Sequence, residues 1–148
     1  MLGLLISTFL SSIVLFSFGI FFQKIFLTND NNELKIYEAG IFGTIFLSFI
    51  SLSVNFIYPL NKFFGDLILF IAIVYFLNIF FRNNNKIEII LLILFVSILT
   101  FILIFLSNIN RPDAGLYHIP YIRILQENKI ILKISNIHHR FGHISIFQ

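Results

Sequence analysis

The chain has 148 residues, of which 58% are hydrophobic and only 11% charged, with a formal net charge of +3 and no cysteine. A soluble domain of this size must turn a large share of its residues to water, and a mean hydropathy of +0.95 leaves too few polar ones for that. The composition therefore excludes an ordinary soluble globule, and the missing cysteine excludes disulfides, thiolate metal sites and a cysteine nucleophile.

A lipid bilayer is the partner this composition implies. Basic residues in such a chain mark loops and orientation before they mark nucleic acid, and no basic face is interleaved with a stacking surface here. The bias towards Phe, Ile, Asn and Lys, with no Trp, fits an AT-rich coding sequence. Part of the phenylalanine excess therefore reflects nucleotide usage.

Residues 2–23 carry no charge and, at about 1.5 Å per residue, reach roughly 33 Å, enough to cross a hydrocarbon core. The serines and Thr8 in this run can bond back to their own helix, so they are compatible with insertion. A signal peptide fits less well, because a basic start and a small-x-small cleavage site are both missing. After the polar loop "TNDNNELKIYE" a second span is expected over about 39–59, broken by Pro59 in "YPLNK". The third, about 63–81, follows through a tight hairpin and is closed by "RNNNK"; the fourth covers about 88–107. The expected fold class is all-α: four transmembrane helices over 1–110, then an interfacial amphipathic helix and polar loop over 111–148.

Four spans place both termini on one side of the membrane. The first and third connections hold Lys24, Lys35, Arg82 and Lys86, whereas the middle hairpin holds only Lys62. The positive-inside rule then makes the former cytoplasmic and both termini extracytoplasmic, in a bacterial inner membrane. The basic residues of the tail argue the other way but lie farther along the chain. Asn55, Asn78 and Asp66 are the polar residues in or near the spans. Each either lines a pathway or, more simply, bonds a neighbouring helix or reaches the headgroups.

The tail concentrates the chemistry, with all four histidines and five of the ten basic residues lying beyond residue 110. Pro112, Asp113 and Gly115 signal a turn or a helix start, so Asp113 either caps that helix or acts chemically. Tyr117, Tyr121, Ile122, Ile124 and Leu125 share one side of a helical wheel, with Arg123, Gln126 and Glu127 opposite, the pattern of a helix lying in the interface. His139 and His143 stand at i, i+4, the spacing that brings two imidazoles onto one helical face for a metal, with Asp113 or His118 as a third ligand. H-E-x-x-H is missing, however, and Gly142 disfavours a helix, so polar packing or phosphate binding is the stronger reading. His138 and Arg140 can both donate to a phosphate, and a nearby Asp can serve as a general base or hold a divalent cation, the one cofactor envisaged.

"DAGLYHIPYIR" followed by "NIHHRFG" resembles the loop of an uncharacterised family of polytopic bacterial membrane proteins, which reads roughly D-(A/T)-G-L-Y-H-x-x-x-I-x-W and then N-L-H-G-R-F-G-F-N-S. That family is in turn similar to the GT-C class of glycosyltransferases, which use polyprenyl-phosphate sugars. The resemblance implies a catalytic or metal-holding role for Asp113; Tyr117, His118, His138 and Arg140 occupy the remaining matched loop positions and are the candidate substrate-binding residues. Ile124 stands where that family tends to have Trp, His139 falls on a Gly position and His143 on a Phe position. The resemblance also implies an amino-terminal part of a longer protein, with further transmembrane helices in the same or a neighbouring chain. Two other functions fit the residues: a small non-catalytic four-helix membrane subunit, and a metal or proton transporter.

Overall fold

A computed structural model of the chain describes residues 1–26, 36–83, 85–107 and 119–129. All regular structure among them is helical: α1 (Leu2–Phe26), a short 3-10 turn (Ile36–Glu38) leading into α2 (Ala39–Asn55), α3 (Lys62–Arg82), α4 (Lys86–Leu106) and α5 (Ile119–Glu127). Four of these segments are long and apolar enough to cross a membrane: α1, the 3-10 turn with α2, α3 and α4. The all-α architecture with four spans and a short following helix is thus the one expected from the sequence.

The largest difference in boundary is at α2, which ends at Asn55 rather than near 59. Pro59 disfavours helical geometry at the preceding residue, and the chain turns early, with the N–H groups of Ile57 and Tyr58 both donating to the Val54 carbonyl. Asn61 then restarts the helix. Its Oδ1 accepts from the Phe64 N–H at 3.1 Å, an N-cap at the third helical residue, and its Nδ2 donates to the Tyr58 hydroxyl at 3.0 Å. The same side chain class ends the other connection, where Asn83 Oδ1 accepts from the Asn85 N–H at 2.9 Å.

The described residues fall into two compact units. The first comprises Met1–Leu47 and Leu67–Ser107. Its centre is the packing of α1 on α4, where Ile13, Phe16 and Ile20 meet Ile89 and Ile93. Ser97 Oγ donates to Ser12 Oγ at 3.2 Å, and Ser12 in turn donates to the Thr8 carbonyl. The isoleucine cluster follows Ser12 along α1 but precedes Ser97 along α4, so these helices run antiparallel. The start of α2 comes closer still to α1. A Cβ at Gly19 would run into the Ala39 carbonyl, and a Cβ at Gly43 would run into the Leu15 carbonyl. Two reciprocal contacts at i, i+4 fix an antiparallel register that only glycine allows, the small-residue packing typical of helices in lipid. Around this seam Phe22 stacks on Phe42, and Phe21 and Phe16 meet the edges of Tyr75 and Phe76 from α3.

The second unit comprises Ser48–Asp66 and Asn108–Gln148, of which 48–66 and 119–129 are described. It joins the end of α2, the hairpin and the start of α3 to α5.

Candidate functional site: the amphipathic helix α5

Helix α5 has nine residues, too short to persist alone in water, so it must be held by something else. Pro120 sits in its first turn, where a missing N–H costs nothing. Pro120, Tyr121, Ile124 and Leu125 are half-buried, whereas Ile119, Ile122, Arg123, Gln126 and Glu127 are exposed. Tyr121, Ile124 and Leu125 thus take the apolar side expected of them. Ile122 does not; it joins Ile119 on a second, exposed apolar strip at i, i+3. Arg123 Nε donates to Glu127 Oε1 at 3.0 Å across one turn of the polar side. Such an exposed pair contributes little stability.

The far end of α5 is held by the α2–α3 hairpin. A helix leaves its last four carbonyls unpaired, and here Leu125 is one of them. Its oxygen accepts from the Leu60 N–H at 2.9 Å, and from Asn55 Nδ2 at 3.4 Å; the same Nδ2 lies 3.4 Å from the Asn128 carbonyl. Asn55 is only 2% exposed, and its Oδ1 has no partner among the described residues. Of the two roles the sequence left open for Asn55, lining a pathway or bonding a neighbouring helix, the bond is the one seen. That the neighbour is α5, seventy residues away, had no signal in the sequence; nor did the part played by the Leu60 backbone.

The remaining polar residues of the spans are placed differently. Asp66 and Asn78 are both exposed, one turn from the start and one turn from the end of α3, and neither is enclosed by the described helices. Asp113, Tyr117, His118, His138 and Arg140 lie outside the described residues, as do His139 and His143. Among the described residues no group of three His, Cys, Asp or Glu side chains is placed to hold a metal ion. What the geometry supplies is therefore a platform. A short amphipathic helix is tied by its carboxyl end to a hairpin between two candidate spans, and Tyr117 and His118 immediately precede it in sequence.

Helices of this length and apolarity define a polytopic α-helical membrane protein. The chain belongs to the family described as Domain of unknown function (DUF8201), whose model matches residues 1–148. Neither a curated protein nor a solved structure matches it.

Proposed function

We propose that this protein is a glycosyltransferase-like component of bacterial envelope assembly, handling a sugar carried on a lipid phosphate. The observation that supports this reading most is the tethered α5. A soluble reactant and a lipid-anchored one meet at the headgroup layer, and an amphipathic helix held at its carboxyl end sets the depth of the segment before it. That segment contains the "DAGLYH" motif, in which Asp113 is the acid and Tyr117 and His118 are substrate contacts. His138 and Arg140 supply donors for the phosphate, Arg in bidentate fashion. Asp113 acts as general base towards an acceptor hydroxyl or holds a divalent cation against the phosphate. The topology that goes with this reading puts both termini and the motif on the extracytoplasmic side of the inner membrane.

The test is transfer of radiolabelled sugar from polyprenyl-phosphate donors into envelope lipid or polymer, in membranes that contain the protein with its native neighbours. Asp113→Asn should abolish the transfer that depends on this protein while leaving its membrane level unchanged. Wild-type transfer by that variant, or labelling of a cysteine at position 113 only from the cytoplasmic side, would refute the reading. A non-catalytic membrane subunit is the second reading, favoured by the largely uncovered face of α3.

A further inference from the structure

The exposed side of α5 changes character along the helix. At 100° per residue, Pro120, Tyr121, Ile124 and Leu125, all half-buried, gather on one side. Ile119, Ile122, Arg123, Gln126 and Glu127, all exposed, gather on the other. The first turn of that exposed side offers two isoleucines, 61% and 47% exposed, and the last offers Gln126 and Glu127. Arg123 lies between them, and its Nε donates to Glu127 Oε1 at 3.0 Å, so its charge is drawn to the polar end.

We infer that the amino-terminal half of α5 is inserted in the bilayer, with Ile119 and Ile122 against acyl chains just below the headgroups and with Gln126 and Glu127 on the water side. The attachment of the helix selects lipid as the occupant. Asn55 ends a candidate span of 20 residues, Ile36–Asn55. Such a span reaches about 30 Å, the full thickness of a hydrocarbon core. Asn55 therefore lies at the lipid boundary, and with it the Leu125 carbonyl that it and the Leu60 N–H hold. The hairpin adds Phe56 and Ile57, 60% and 74% exposed, to the apolar surface of the same unit. A helix tied there has acyl chains within reach of its apolar turn and water within reach of its polar one. The face assigned to the interface thereby changes: Tyr121, Ile124 and Leu125 are half-buried by protein, and it is Ile119 and Ile122 that meet lipid. This placement holds whether or not the chain transfers a sugar.

The chain has no Trp and no Cys, so single probes can be read without background. The purified full chain in phosphatidylcholine vesicles, at a density too low for copies to meet, leaves lipid as the occupant. Ile122→Trp should then show blue-shifted emission that is quenched by bromines carried on the acyl chains about 5–10 Å below the surface, whereas Gln126→Trp should emit as in water. Because Trp itself favours the interface, cysteines give a second reading. A charged maleimide should label Ile122→Cys about 3- to 10-fold more slowly than Gln126→Cys, as half the burial of an apolar side chain implies. Both positions are exposed, so the helix and its bonds to Asn55 and Leu60 stay intact in every variant. Equal labelling at positions 122 and 126, or a water-like, unquenched spectrum for Ile122→Trp, would overturn the inference. So would protection of position 122 in native membranes that is lost in pure lipid, the result expected of a protein partner.

Discussion

Helices α1 and α3 are close in length and nearly equal in hydropathy, yet 39% of the most apolar stretch of α1 is buried against 6% for α3. Hydrophobicity cannot make that difference, because lipid tails are as apolar as leucine and a helix gains nothing by exchanging one for the other. The difference lies in small and polar side chains. Helix α1 buries Thr8, Ser12, Ser17, Gly19 and Gln23 among its larger residues, whereas α3 buries only Ala72. In this protein the less hydrophobic positions decide what packs on what.

That contrast can be broken most forcefully at the glycines. Gly19→Leu should separate α1 from α2 and lower stability by about 3 kcal/mol, at the upper end for an overpacked site. Unfolding in mixed micelles would measure it. Gly65→Ala in α3 should do the opposite on a smaller scale, because a Cβ there meets nothing within 4 Å. The expected gain is up to about 1 kcal/mol from helix propensity alone. Comparable losses at both positions would mean that the close approach of α1 and α2 is unimportant.

Asn55→Leu should come next in size. It leaves Leu125 with only its Leu60 bond and costs about 1 kcal/mol. The more diagnostic reading is faster amide exchange across 119–129 with no change in α1, since the bonds concerned all lie at the α5 end. A still smaller effect is expected at the hydroxyl contact. A double-mutant cycle between Ser12→Ala and Ser97→Ala should give a coupling of about 0.6 kcal/mol, the average for such pairs in membranes. Arg123→Ala should leave stability unchanged within error, because its partner Glu127 is exposed as well.

The spans were legible because a charge-free run of twenty residues has few other ways to exist, and Pro59 announced the hairpin by its backbone chemistry. The early end of α2 was less so. A proline marks where a helix can no longer continue, and the chain is free to turn sooner. On α5 the wheel placed Tyr121, Ile124 and Leu125 correctly, but Ile122 sits on its edge, and an edge residue goes wherever the partner leaves room. The chemical candidates around Asp113 and His138 were read from residue types and from a resemblance, neither of which carries geometry.

The sequence by itself determined that this chain belongs in lipid, how many times it is able to cross, and where the crossings turn. Those properties depend on local composition and on the cost of an unpaired backbone in hydrocarbon, and both act over neighbouring residues. Only the tertiary structure decided that Gly19 meets Ala39, that Ser97 finds Ser12, and that Asn55 holds α5. Each of these joins positions far apart in the chain, and among helices that are all apolar enough for lipid the choice of partner rests on a few ångströms of side-chain fit.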